Sequence, residues 1–179
     1  MTFFCILDGV GKHIDDYLSD FWESLNLENQ TQKEKETLTY YYAKALLEIG
    51  KTKEALRYFE TLKDPDVDKK LIESYKHICM VLIDRNNLEN DDCMYIKDME
   101  DIMNGAAIVY LTPPYNELIK LSALYFYILQ DYKRCKTYCT QWVRFENEML
   151  DITISDIEEL KQYLKIDRLF YVIAEQLNR

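Results

Sequence analysis

The sequence predicts an all-α protein, and three observations carry that prediction. The chain of 179 residues has the length of one domain and contains only 4 glycines and 3 prolines. So few helix breakers favour helices joined by short turns. Apolar residues recur at steps of three and four, whereas the alternation typical of strands is nearly absent. The one run that suits an extended chain, residues 106–111, is closed by two prolines.

The first predicted element is an N-terminal helix within residues 1–30. Two glycines interrupt its apolar stripe at about 1 kcal/mol each, so the helix is expected to start after Gly11. A capping box of Thr31 with Glu34 predicts the start of the next helix. The apolar stripe consists of Phe3, Leu7, Val10, Ile14, Leu18, Phe21 and Leu25.

Residues 36–67 predict two amphipathic helices joined by a turn at Gly50. Short side chains at Ala43 and Ala55 allow the two helix axes to approach to about 8 Å. Leu46 and Phe59 then fill the seam between the helices. The segment therefore predicts a tightly packed helix pair.

This pair resembles the tetratricopeptide repeat (TPR), in which an A-x3-F pair of the second helix packs against a small residue of the first. The positions that match the TPR pattern are Ala43, Leu46, Ala55 and Phe59. The sequence departs from the pattern at three positions: Thr39 replaces the usual tryptophan, Tyr42 replaces a leucine, and the closing proline is displaced to Pro65. The resemblance implies a protein-binding role.

A second copy of the pattern appears 80 residues further on, in residues 116–147. Ala123 falls on Ala43, Cys135 falls on Ala55, and Gln130 with Asp131 makes the turn. Phe126, Tyr138, Cys139 and Trp142 occupy the other matching positions. Because 80 residues are two TPR periods of roughly 34 plus about a dozen residues, a degenerate pair is expected over 71–105.

A C-terminal helix is predicted over residues 156–178, and a capping box of Ser155 with Glu158 marks its start. The predicted fold is therefore a set of antiparallel helix pairs, stacked as a short TPR-like superhelix with flanking N- and C-terminal helices. In such a stack the first helix of each pair lines a concave groove. The residues predicted to face this groove are Tyr40, Lys44, Leu47, Lys76, Met80, Lys120, Leu124 and Tyr127.

Three lysines of this groove predict a partner segment that carries acidic and apolar residues. The carboxylate clamp with which some TPR domains hold chaperone tails is not matched, since Tyr40 occupies its first lysine position and Lys44 its asparagine position. The resemblance therefore does not extend to chaperone binding.

Composition argues against other classes of function. A net charge of −10 disfavours nucleic-acid binding, which depends on neutralising phosphates. There is no phosphate-binding loop, nucleophile elbow or H-E-x-x-H motif, so no catalytic residue, cofactor or enzyme activity is predicted. The two histidines have no partners at metal-ligand spacing, so no metal site is predicted. Five unpatterned cysteines are interpreted as packing residues in a reducing compartment: Cys5, Cys79, Cys93, Cys135 and Cys139.

No segment approaches the ~20 apolar residues that span a bilayer, so no direct membrane insertion is predicted. The expected location is cytoplasmic or nuclear, with an organelle surface reached only through a partner. Two hypotheses for function remain. The protein is an adaptor or receptor that captures a peptide or helix in its groove. Alternatively, it is a structural subunit of a complex, bound through convex or terminal helices, with its groove filled by its own terminal helix.

Overall fold

The computed structural model describes residues 14–25, 28–84, 115–146, 159, 162 and 167–177. Within these ranges the chain forms seven helices and no strand, which confirms the all-α prediction there. The helices are α1 (Ile14–Ser24), α2 (Gln32–Glu48), α3 (Thr52–Thr61), α4 (Lys69–Ile83), α5 (Tyr115–Ile128), α6 (Tyr132–Glu146) and α7 (Arg168–Leu177). The second helix of the predicted 71–105 pair and the capping box at Ser155 lie outside the described residues.

Side-chain caps fix where two of these helices begin. Thr31 accepts a hydrogen bond from the backbone N–H of Glu34, and the Glu34 carboxylate accepts one from the N–H of Thr31. This confirms the predicted capping box at the start of α2. Asp68 caps α4 in a simpler way, because its carboxylate accepts from the N–H of Lys70 at 2.7 Å.

The turn between α2 and α3 is a Schellman motif. Gly50 has a φ of +86°, and its N–H donates to the carbonyl of Leu47 at 3.0 Å. The N–H of Lys51 donates to the carbonyl of Leu46 at 2.9 Å. A glycine suits this position because the left-handed backbone brings a Cβ too close to the following carbonyl.

The turn between α5 and α6 repeats this geometry 80 residues later. The N–H of Gln130 donates to the carbonyl of Tyr127 at 3.1 Å, and the N–H of Asp131 donates to that of Phe126 at 2.9 Å. Gln130 has a φ of +61°, at the position equivalent to Gly50. The 80-residue offset seen in the sequence is therefore present as a repeated turn. Such turns occur in many helical folds, so the TPR assignment stays a prediction.

Successive helices pack on one another: α2 on α3, α3 on α4, α4 on α5 and α5 on α6. The four small residues of the two matching pairs are completely buried, which confirms their predicted packing role: Ala43, Ala55, Ala123 and Cys135. Cys79, Cys135 and Cys139 are buried free thiols. Burial raises the pKa of the Cys79 and Cys139 thiols to about 12, so both stay protonated and unreactive.

Helix α7 folds back against α2 and α5. It starts at Arg168, where the N–H of Phe170 donates to the Asp167 carboxylate at 3.1 Å. Of the single helix predicted over 156–178, the part from Arg168 to Leu177 is helical in the structure, and residues 163–166 before it lie outside the described residues. Near the other end of α7 the Gln176 amide donates to the carbonyl of Gly50 at 2.9 Å. Phe170 and Ile173 are completely buried between these contacts.

Candidate functional site: the cleft beside α2, α4 and α5

A cleft of about 420 Å³ lies beside α2, α4 and α5. Its lining combines aromatic, apolar and charged side chains from four helices and from the loop that precedes α4. The lining residues are Tyr40, Tyr41, Lys44, Asp66, Val67, Asp68, Leu71, Asn116, Glu117, Lys120 and Trp142. The cleft is therefore amphipathic, as sites that receive a segment of another protein commonly are.

The loop between α3 and α4 forms one wall of the cleft and is tied to α2 by a buried carboxylate. Glu36 accepts hydrogen bonds from the N–H groups of Lys63 and Asp64, both at 2.7 Å. Hydrogen bonds from the Gln32 amide and from these two N–H groups lower the pKa of Glu36, so the carboxylate stays ionised. Glu36 was not singled out in the sequence, because nothing in the spacing shows that a loop 27 residues away returns to it.

Asp66 and Asp68 carry the charge of this wall. The N–H of Asp66 donates to the Thr37 hydroxyl at 2.8 Å, which places Asp66 at the edge of α2. The Asp66 side chain is 78% exposed and pairs with Lys33 at 2.9 Å. Ion pairs between side chains this exposed contribute about 0–1 kcal/mol to stability, so another cation can readily replace Lys33 beside Asp66.

Another part of the cleft lining holds an ion pair that joins α2 to α5. Lys44 pairs with Glu117, and the Tyr75 hydroxyl donates to the same carboxylate at 2.5 Å. Burial by itself would raise the pKa of Glu117, but Lys44 and these hydrogen bonds outweigh burial and lower it. The Lys44 ammonium also lies 5.5 Å and 5.2 Å from the ring centroids of Tyr40 and Tyr75, within cation–π range.

A second ion pair joins α5 to the start of α7. Lys120 donates to Asp167 at 3.0 Å, with both side chains more than four-fifths buried. Burial by itself would lower the pKa of Lys120, but Asp167 outweighs burial and the pKa is raised. Nearby, burial raises the pKa of Glu48 although Lys120 and Lys44 oppose that shift. Lys120 is therefore held as a cation by the chain's own C-terminal helix.

Tyr40 lines the cleft and carries a buried hydroxyl. Its side chain is 2% exposed, and within the described part of the chain its hydroxyl has no hydrogen-bond partner. Burial raises the pKa of this phenol, so the hydroxyl remains a donor. A buried polar group without a partner costs about 1–3 kcal/mol, which an acceptor brought by a ligand would recover.

The structure brings three of the eight predicted groove residues to the cleft: Tyr40, Lys44 and Lys120. It buries Leu47 and Leu124, which are 1% and 0% exposed. These two leucines lie one helical turn beyond the lysines, on the two helices against which α7 packs. They are part of the core as the chain stands, and they offer no surface to a partner.

The other three predicted groove residues lie away from the cleft lining. Lys76 pairs with Glu73 at 3.0 Å, and Met80 is 48% exposed. Tyr75 is the residue of α4 that faces Glu117. Lys76 lies one position further, about 100° around the helix, and Met80 lies five positions further, about 140° around it. Tyr127 packs edge-on against Phe170 of α7, with ring centroids 6.4 Å apart.

Sequence reasoning did not place Asp167 beside Lys120. It also did not predict the other eight lining residues: Tyr41, Asp66, Val67, Asp68, Leu71, Asn116, Glu117 and Trp142. For Glu117 a signal existed, because it lies three residues before Lys120 on the same helix, a spacing at which side chains are neighbours. Nothing in the sequence indicates the contact of Asp167 with Lys120, which joins residues 47 positions apart.

The described residues contain no group of three His, Cys, Asp or Glu side chains arranged to hold a metal ion. None of the helices described is long and apolar enough to cross a membrane. Comparisons with protein-family models, with curated proteins and with solved structures find no match to this chain.

Proposed function

We propose that this protein is a non-enzymatic adaptor or receptor, and that the cleft beside α2, α4 and α5 captures a peptide or helix of a partner protein. One observation carries the proposal: the cleft combines an exposed aromatic side chain with half-buried or exposed charged groups of both signs. Tyr41 is 57% exposed at its edge, and Trp142 and Leu71 provide apolar lining. Aromatic anchors beside a polar rim are typical of protein-binding surfaces. The TPR resemblance supports the same class of function.

The test begins with a selection of random peptides, about a dozen residues long, on the immobilised protein. A labelled synthetic copy of each enriched peptide is then titrated against wild type and two variants by fluorescence anisotropy. Tyr41→Ala removes the aromatic side chain at the cleft edge. Tyr171→Ala removes a tyrosine of similar exposure, 44%, that does not line the cleft and so serves as the matched control.

We expect Tyr41→Ala to weaken binding by about 1–2 kcal/mol, or roughly 5- to 30-fold, as aromatic residues at binding surfaces commonly do. Tyr171→Ala should leave the affinity unchanged. If no enriched peptide responds to Tyr41→Ala, the cleft is not the binding site.

A second function is favoured by the packing of α7. This helix occupies the sides of α2 and α5 next to the cleft, as expected if the groove of a structural subunit is filled by its own terminal helix. Several large apolar side chains are exposed outside the cleft: Tyr17, Phe21, Met80, Ile83 and Tyr171. Peptides that respond to Tyr171→Ala or Met80→Ala, and not to Tyr41→Ala, would favour this alternative.

A further inference from the structure

The partner segment can be characterised further from the charges of the cleft, on the basis of the function proposed above. The sequence predicted an acidic partner because three lysines were expected in an open groove. In the structure Lys44 is paired with Glu117, and Lys120 is paired with Asp167. Lys76 lies outside the cleft lining. An acidic partner would have to compete with carboxylates that the chain itself already supplies.

The charges that a partner meets are instead the carboxylates of the loop wall. Asp66 and Asp68 both line the cleft and are exposed. The pairing of Asp66 with Lys33 is itself exposed and therefore weak, unlike the pairs of Lys44 and Lys120. With Glu117, the lining carries three carboxylates against two lysines. The net charge of −10 on the whole chain adds an attractive field for cations. Charge complementarity therefore favours a basic segment over an acidic one.

The remaining lining requires an apolar group and a hydrogen-bond acceptor. Tyr41 offers exposed aromatic surface beside the loop wall, and Leu71 and Trp142, 6% and 8% exposed, present a small apolar part of the lining next to it. The Tyr40 hydroxyl, buried and without a partner in the described part of the chain, supplies a donor. A backbone carbonyl of an inserted segment is an acceptor that would satisfy it.

We propose that the cleft binds a segment of a partner protein in which a lysine or arginine stands next to a large apolar residue. The cation lies against Asp66 and Asp68, the apolar side chain lies against Tyr41, Leu71 and Trp142, and a backbone carbonyl accepts from the Tyr40 hydroxyl. This reverses the sign of the partner charge that the sequence predicted.

The experiment uses the enriched peptides and, for each, a variant with its basic residues changed to glutamate. Both are titrated against wild type and against Asp66→Asn/Asp68→Asn, in which asparagine can still cap α4. The control is Glu54→Gln/Glu60→Gln, which removes the same charge from exposed positions of α3 that do not line the cleft. If the double variant loses helicity, Asp66→Asn alone takes its place in the titrations.

We expect enrichment of lysine or arginine beside aromatic or aliphatic residues. The wall variant should weaken these peptides by about 3- to 10-fold, as for two partly exposed ion pairs, and the control by less than about 2-fold. The difference should shrink as salt is added. Tyr40→Phe should also weaken binding, because the donor to the segment is lost, while the folded protein remains at least as stable as wild type.

Failure of this inference is distinguishable from failure of the proposed function. Peptides that respond to Tyr41→Ala but are acidic, or that lose no more affinity in the wall variant than in the control, overturn the inference and leave the function standing. Peptides whose affinity is unchanged by Tyr41→Ala overturn both the inference and the proposed function. Self-association of the wild-type protein that Tyr41→Ala abolishes would assign the cleft to a second copy of this chain and also overturn the inference.

Discussion

Gly50→Ala should destabilise the protein by about 1–2.5 kcal/mol, from a backbone contribution and a hydrogen-bond contribution. A non-glycine residue with a φ of +86° costs roughly 1–2 kcal/mol, and the lower chain entropy of alanine offsets about 0.5–1 kcal/mol of this. The new Cβ would also lie 2.9 Å from the Gln176 Nε2 atom, which must move. Moving it weakens the hydrogen bond to the Gly50 carbonyl, which contributes about 0.5–1.5 kcal/mol.

Two further variants separate the backbone cost from the loss of the hydrogen bond. Gln130→Gly relieves the same backbone conformation at the equivalent turn, so it should stabilise the protein by about 0.5–1 kcal/mol after the entropy cost of glycine. Gln176→Ala removes the group with which the new Cβ of Gly50→Ala collides. In that background Gly50→Ala should cost only its backbone part, about 0.5–1 kcal/mol, and the difference is the coupling between the turn and α7.

Urea unfolding followed by helical circular dichroism measures all four variants, with the m-value checked for constancy. Each kcal/mol should appear as about 2–4 °C in Tm for a chain of this size. Gly50→Ala with unchanged stability, or Gln130→Gly that destabilises, would contradict the repeated-turn interpretation. A Gly50→Ala cost that is equal with and without Gln176 would contradict the docking of α7 on this turn.

Three further predictions concern the helix pair and the buried charges. Ala55→Leu should cost about 1–3 kcal/mol in urea unfolding because Ala55 is completely buried, whereas Lys53→Leu on the exposed side of α3 should cost little. Glu48→Gln should stabilise the protein at pH 7, because burial raises the pKa of Glu48 and so makes its charged form unfavourable in the folded protein. This gain should vanish below pH about 4.3, where the carboxyl is protonated in both the folded and the unfolded protein. The pKa of Glu117 is lowered in the folded protein, so its ionised carboxylate contributes fully to stability above pH about 4.3, and this contribution is lost as pH falls through the pKa of the folded state. Glu117→Gln should therefore flatten that part of the curve of stability against pH. An unchanged curve would show that Glu117 does not form the ion pair.

The cleft shows where sequence reasoning stops. Tyr40, Lys44 and Lys120 were predicted as groove residues, and all three line the cleft, because their positions follow from helical periodicity within α2 and α5. Their freedom to meet a partner does not follow from periodicity. Lys44 and Lys120 are engaged by Glu117 and Asp167, and these pairings depend on how separate helices meet.

The same distinction applies to the predicted anchors. Leu47 and Leu124 have the right spacing to face a groove, yet both are buried on the helices against which α7 packs. A helical stripe identifies which residues are apolar neighbours. It does not identify which later element of the chain will cover them.

The sequence by itself determined the helical class, the capping box at Thr31, the small residues at the helix crossings and the 80-residue recurrence of the turn. These depend on interactions between residues a few positions apart, or on composition that any packed helix pair requires. Only the tertiary structure decided that α7 returns to α2 and α5, that Glu36 anchors the loop wall, and that two groove lysines are neutralised internally. The physical reason is that these contacts join residues 27 to 126 positions apart, and no local spacing specifies which distant groups will meet.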